Sequence, residues 1–406
     1  MKKLWTRDFT ILTLGSVVSI FGNTLVGFSI NLMVLDYSNS VFLFVLYLVI
    51  FTLPKILVPS IAGPLLDSFS RRKTIYTLDF TSAALFLSLF FILRGGYFNY
   101  LFFLVVSFIF GTIDSAYLVA YESLYPILVA EGNFRKAYSV SSLILPLSAV
   151  MLPIATFLYE RFGIGPIAIT SAAAFFVAAC FDIQIRADET HIRKKPERYS
   201  FGEFRASFIE GVNYIRGEKG LLVITGYFFV STFTGASGTL MLPYFRNTPS
   251  LGVMLFSLVE GSTVAGRFVG GAIQYRLDYP KDKKFIIAMI VYVAISFIYM
   301  GYLFTPVYVM AFLCFLCGLL AVTSYNIRVS TTQSYIPDAK RARFNGAFLM
   351  FMNAGMITGQ LIAGSLAEII PIRTVIVAAN AVSLIASFGI MWRGRRHVIP
   401  IYNREV

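Results

Sequence analysis

Tyr97-Phe-Asn-Tyr-Leu-Phe-Phe-Leu-Val-Val-Ser-Phe-Ile-Phe-Gly111-Thr-Ile-Asp114-Ser-Ala-Tyr117-Leu-Val-Ala-Tyr121 is apolar almost throughout and carries one charged residue, Asp114. A helix of about 20 such residues crosses a bilayer core of about 30 Å. In lipid a spanning backbone must satisfy its own hydrogen bonds, and a helix does so within the segment. Further stretches of the same kind fill most of the 406-residue chain, at 9–35, 41–66, 74–93, 138–159, 165–185, 221–244, 251–275, 285–304, 306–327, 344–370 and 372–392. Alternating strands of a membrane barrel are not seen. The pattern predicts an all-α membrane protein of twelve transmembrane helices.

Hydrophobic residues make up 57% of the chain and charged residues 14%, where soluble chains carry about 25% charged residues. The deficit is what lipid-facing surface requires. The 40 Phe and 23 Tyr supply core, lipid face and interfacial belt. A net charge of +13 would suit nucleic acid, but its distribution argues otherwise. With the amino terminus in the cytoplasm, only Arg94, Arg161, Arg246 and Arg373 fall outside; Lys55, Arg267 and Arg328 fall within spans, and the other Lys and Arg are cytoplasmic. This is the positive-inside pattern. It places both termini and segment 186–220 in the cytoplasm, and the chain in the inner, or plasma, membrane. The opening Met1-Lys-Lys-Leu-Trp5 leads into a run too long for a signal peptide, and no small-x-small cleavage site follows, so it reads as an uncleaved first span.

No catalytic constellation stands out. There is no Gly-x-x-x-x-Gly-Lys phosphate loop to make ATP the direct energy source. Cys180, Cys314 and Cys317 lie in apolar spans, and the only histidines, His191 and His397, lie in polar segments. Cys314-x-x-Cys317 therefore lacks the further ligands of a zinc site and reads as packing. The expectation is a protein that is not an enzyme and has no cofactor, no metal and no nucleic-acid partner.

Segment 186–220 is the one long polar break, and it divides the spans six and six. It predicts a bundle over 1–188, a cytoplasmic linker over 189–220 and a second bundle over 221–406. Within the linker, Phe201, Phe204, Phe208, Val212 and Ile215 recur at helical spacing, with Glu203, Arg205, Glu210 and Arg216 elsewhere around the helix. That is an amphipathic helix on the cytoplasmic surface; a solvated linker is the alternative. The halves echo each other: Pro126 and Arg135-Lys136 follow span four, and Pro337-Asp338 and Arg341-x-Arg343 follow span ten. Duplicated, pseudo-symmetric six-helix halves with a substrate site near the midplane are the construction of a large transporter class.

The loop after span two reads Gly63-Pro-Leu65-Leu-Asp67-Ser-Phe-Ser70-Arg71-Arg72-Lys73-Thr-Ile75. It resembles the signature loop of the major facilitator superfamily, G-x-L-x-D-x-x-G-R-[RK]-x-x-[LI], with Ser70 at the second glycine. The resemblance implies the two-bundle fold, alternating access, and a gating role for Gly63, Asp67 and Arg71. Arg72 holds the loop at the headgroups. Trp5-x-Arg7-Asp8-Phe9, Phe21-Gly22, Gln333-x-x-x-Pro337-Asp338-x-x-Arg341-x-Arg343 and Gly359-x-x-x-x-Gly364 are similar to the macrolide-efflux-like drug exporters of bacteria. Span five, Leu152-Pro153-Ile-Ala155-Thr156, lacks the glycines of the antiporter pattern G-x-x-x-G-P-x-x-G-G. The resemblance implies proton-coupled efflux of an amphipathic, drug-like small molecule by a monomer. Import of a small metabolite on the same fold, and a non-transporting sensor, are the alternatives.

A charge inside a bilayer costs about 2.5–3.5 kcal/mol or more, so each one needs a reason. Lys55 is a contact for a substrate anion or the structural partner of a carboxylate. Asp114 shares a helix face with Tyr117 and Tyr121, and in the family spans one, four, seven and ten line the cavity. A carboxylate that changes protonation state with access is what a proton-coupled carrier needs, so Asp114 is the leading proton site; a permanent pair with Lys55 is its rival. Glu260 is a second coupling candidate, with Arg267 one heptad on as a pairing residue. Asp79 and Glu122 read as partners for Arg71 and Arg72. Asn23 and Asn31 either line the cavity or bind helices together. Gly266-x-x-x-Gly270 and Gly355-x-x-x-Gly359 read as close-packing faces.

Overall fold

The computed structural model describes residues 4–59, 69–95, 98–129, 133, 137, 140–141, 144, 148–186, 201–274 and 279–404. Helices dominate, and no strand occurs among the described residues. Eleven helices are long and apolar enough to cross a membrane. The span expected over 138–159 falls partly outside the described residues, as do Gly63 and Asp67 of the signature loop and linker residues 187–200. By contact the chain gathers into two units, one of 1–40 and 47–199, the other of 41–46 and 200–406.

The first unit holds α1 (Arg7–Ser38), α2 (Val41–Thr52, within a span that runs to Pro59), α3 (Arg71–Arg94), α4 (Tyr100–Leu128), α5 (Met151–Phe162) and α6 (Ile164–Asp182), less the opening of α2. Polar side chains start three of them. Thr6 accepts from the Phe9 amide at 3.2 Å, Ser70 from Lys73 at 3.2 Å and Asn99 from Phe102 at 3.1 Å. Caps of this kind contribute about 1 kcal/mol each. Ser70, which replaces a glycine of the signature loop, thus serves as the cap of α3. Pro54 has no N–H, which interrupts the helical ladder of span two just before Lys55. Phe9, Leu12, Ile75, Leu124 and Tyr125 form a buried core near one end of the unit.

The second unit holds α7 (Phe201–Gly217), α8 (Lys219–Gly235), α9 (Met241–Asn247), α10 (Gly252–Gln274), α11 (Lys284–Gly301), α12 (Val307–Tyr335), α13 (Asp338–Ala367), α14 (Ile372–Ala386) and α15 (Arg395–Tyr402). Span seven is built from α8 and α9, joined by a tighter turn over Ala236–Leu240. The stripe on α7 meets protein: Ile215 is buried in the core of this unit, Phe208 and Val212 pack on that core, and Phe208 lies against Phe351. Arg205, Glu210 and Arg216 are exposed. The surface helix expected from its amphipathicity is therefore docked on α13. Helix α15 lies beyond the last expected span, and its Tyr402 is fully buried, with its hydroxyl 3.1 Å from that of Tyr292.

Lipid tails are as apolar as leucine, so helices in membranes associate through close fit. Glycines provide it here. A Cβ on Gly266 would collide with the Phe315 carbonyl, and one on Gly270 would stand 2.9 Å from the Leu319 oxygen, locking α10 to α12. Gly355 and Gly359 of α13 meet the Phe229 and Phe233 carbonyls of α8 in the same way. The duplication shows in one such contact. Gly111 of span four rests on the Phe51 carbonyl of span two, and Gly318 of span ten rests on the Thr263 carbonyl of span eight.

Candidate functional site

Three elements of the first unit converge on one ion pair. Lys55 Nζ, just past the Pro54 break, lies 2.7 Å from Asp114 Oδ2 of α4. Asn23 Nδ2 of α1 donates to Asp114 Oδ1 at 3.3 Å. The ammonium also sits 4.6 Å from the centre of the Phe51 ring. The two side chains remain 40% and 34% exposed, so the pair is reachable. Pairing offsets the cost of charge at this depth, and the amide from Asn23 satisfies a second lone pair of the carboxylate.

Beside the pair is a cavity of about 60 Å³ walled by α1, α3, α4 and α6. Ser19, Asn23, Asp79, Asp114 and Tyr117 give it polar groups, and Phe86, Phe110 and Phe175 give it aromatic ones. It has room for water and none for a drug-sized solute. Tyr117 lines it. Tyr121 stacks on Tyr117 with ring centres 6.2 Å apart and packs against the buried core, and both hydroxyls are buried without a well-formed hydrogen bond among the described residues. Asn31, further along α1, has no hydrogen-bond partner among the described residues.

A profile of the family described as Major Facilitator Superfamily matches residues 12–359. The chain belongs to the major facilitator superfamily. A curated relative, an uncharacterized MFS-type transporter, YkuC, of Bacillus subtilis (strain 168), is 25% identical over 249 residues, 59% of this chain and 56% of the relative. The match thus spans little more than half of that relative's length. Among solved structures, the nucleoside transporter NupG is similar over 95% of this chain and 98% of that one, at 14% identity and a TM-score of 0.70. A bacterial homologue of the iron transporter ferroportin, in an inward-facing state, matches over 96% and 98%, at 17% identity and a TM-score of 0.66. These likenesses show the fold. The protein is thus a multi-pass membrane protein with the major facilitator fold.

Within this facilitator the other candidates are placed as follows. Glu260 of α10 is half-buried among Tyr299, Tyr302, Cys314 and Arg267. It closes no ion pair with Arg267 among the described residues, because one heptad on a straight helix is too far for a tight contact. Arg71 Nη1 donates to the Ser123 carbonyl at 3.0 Å, and Arg72 donates to the Ile185 carbonyl. Asp79 does not pair with either of them; it accepts from Ser19 and faces Asp182. Glu122 has no basic partner among the described residues.

Two further residues were given no site role by the sequence reading. Asp182 is fully buried at the end of α6, and its place near a span end gives no signal of that burial in the sequence. Arg328 of α12 sits among aromatic rings, with its guanidinium carbon 4.8 Å from the centre of Phe228, 5.1 Å from Phe348 and 5.4 Å from Tyr325. Its Nε is buried and unpartnered. A cation within a span was the available signal for it.

Proposed function

We propose that this facilitator is a proton-coupled secondary transporter that exports an amphipathic small molecule by alternating access, with Asp114 as the coupling carboxyl and Lys55 as its counter-charge. The observation that carries the reading is the reachable Lys55–Asp114 pair. An ion pair that served packing alone would be best sealed, since water weakens it. This one is a third or more exposed and borders a cavity fit for water. Protonation of Asp114 releases Lys55, and ionisation recaptures it, so proton occupancy and the availability of a cation to substrate change together. Asn23 holds the carboxylate in place for that exchange, and Asn31 and Tyr117 offer further contacts along α1 and α4. Glu260 is the second coupling candidate. Export and drug-like cargo rest on the resemblance of Trp5-x-Arg7-Asp8-Phe9 and its companion motifs. The signature loop, with Gly63, Asp67, Arg71 and Arg72, acts as the gate. The chain works as a monomer in the inner membrane, with both termini cytoplasmic.

The test is a solute screen in sealed inside-out vesicles with an imposed proton gradient. A transported solute collapses the gradient in step with its own accumulation. A solute that accumulates with no proton movement would overturn the coupling. Solutes that bind without flux throughout the panel would overturn transport by this chain under a proton gradient.

A further inference from the structure

A pair of acidic side chains is more deeply buried than the Lys55–Asp114 ion pair. Asp79 of α3 is 1% exposed and Asp182 of α6 is 0% exposed. Helices α3 and α6 pack closely, and this brings the two carboxyl groups within hydrogen-bonding reach of each other. Ser19 Oγ donates to Asp79 Oδ1 at 3.4 Å. Among the described residues, Asp79 Oδ2 and both oxygens of Asp182 find no other donor. Among the described residues, the groups near the pair on the neighbouring helices are hydroxyls: Ser19 on α1 and Tyr117 and Tyr121 on α4, with Ser16 beside the two tyrosines. Those of Ser16, Tyr117 and Tyr121 are buried near one another and, among the described residues, none closes a well-formed hydrogen bond; Ser16 is 1% exposed. The nearby cations are engaged elsewhere, Arg71 with the Ser123 carbonyl and Arg72 with the Ile185 carbonyl. Space for Asp182 comes from Gly15 of α1, where a Cβ would stand 2.8 Å from Asp182 Oδ1.

Two ionised carboxylates cannot rest against each other in such a place. Buried charges are paired or neutralised, and like charges in contact do not both ionise. One proton between them removes one charge and turns an acceptor–acceptor clash into a short O–H···O⁻ bond. The Ser19 hydroxyl then meets the charge that remains. Among the described residues no set of three metal-ligating acids, thiols or imidazoles forms.

We propose that Asp79 and Asp182 form a proton-binding pair that holds one proton and exchanges it with Asp114 through the cavity that Asp79 lines. Asp79 and Asp114 both line that cavity, with Ser19 and Asn23 alongside. In the exchange one O–H bond breaks at the pair and one forms at Asp114, with cavity water as the carrier. The pair binds its proton whether or not Asp114 couples transport, so the two readings fail separately.

Infrared spectroscopy of the full chain in lipid at neutral pH reads the C=O stretch of protonated carboxyl groups. Wild type and Asp114→Asn should both carry a buried-acid band, and Asp79→Asn and Asp182→Asn should each lose or shift it. If one of these variants fails to fold, the other decides. Carbon-13 labelling of aspartate in the wild type identifies the band with no substitution at all. An aspartate band missing from the wild type overturns the proposal. So does a band removed by Asp114→Asn and kept by both pair variants. A band that emerges only when sodium is withdrawn also overturns it, because sodium would then be the occupant.

Discussion

Lys55 Nζ stands 2.7 Å from Asp114 Oδ2, yet neither side chain is enclosed. An ion pair with access to water loses little when one partner goes, whereas a sealed one leaves a stranded charge at a cost of about 3–5 kcal/mol. Asp114→Asn should therefore keep its folded yield while abolishing accumulation driven by a proton gradient. Substrate exchange, which needs no net proton movement, should survive. Yield and transport measured together decide. A loss of folded protein that Lys55→Met restores would make the pair structural, and unchanged gradient-driven transport would move coupling to Glu260.

Gly266 and Gly271 both lie on α10 but have opposite surroundings: a Cβ at the first meets the Phe315 carbonyl, and one at the second meets open space. Gly266→Ala should lower stability by about 1–3 kcal/mol through overpacking. Gly271→Ala should stay within about 0.5 kcal/mol of wild type. Denaturant midpoints in detergent measure both, and equal midpoints would refute the glycine lock.

Docking of α7 rests on backbone fit more than on charge. A Cβ on Gly211 collides with the Arg343 carbonyl, while the Arg343–Glu210 ion pair is 44% and 51% exposed. Exposed pairs contribute about 0–1 kcal/mol. Thermal unfolding should show a clear loss for Gly211→Leu and almost none for Arg343→Ala. The reverse order would mean that charge holds the helix.

Asp67→Asn should impair transport in a well-inserted protein by altering the balance between access states more than affinity within either state. Substrate binding and flux, compared at matched expression, read this; wild-type flux would show the loop to be functionally empty.

Single cysteines at Asn39 and Asn247, in a background without Cys180, Cys314 and Cys317, should react with an impermeant thiol reagent added outside intact cells. A cysteine at Ser200 should not. The opposite labelling would invert the proposed topology.

Much of this architecture was legible in the chain. Long apolar runs give spans because lipid leaves the backbone no alternative, and the spacing of Gly266 and Gly270 signals close packing with no partner known. Lys55 and Asp114 were conspicuous as charges in apolar surroundings. What the chain does not disclose is which distant segments meet. Asp79 and Asp182 are a hundred residues apart in sequence, and only the packing of α3 on α6 makes them one site. The stripe of α7 shows the same limit, since an amphipathic helix presents one pattern to headgroups and to a protein core alike. Pro54 and Ser70 act within a few residues, as a helix break and a cap, and the structure is what assigns them those roles.

The missing side chain at Gly15 also bears on how this protein can change over generations. Any other residue there would press on Asp182, so the two positions have separate histories only at a cost. A lineage that first shortens or neutralises residue 182 becomes free to vary at 15; one that first fills 15 passes through a misfitted intermediate. The order of substitution is therefore directional, and descendants that keep an aspartate at 182 should keep a glycine opposite it.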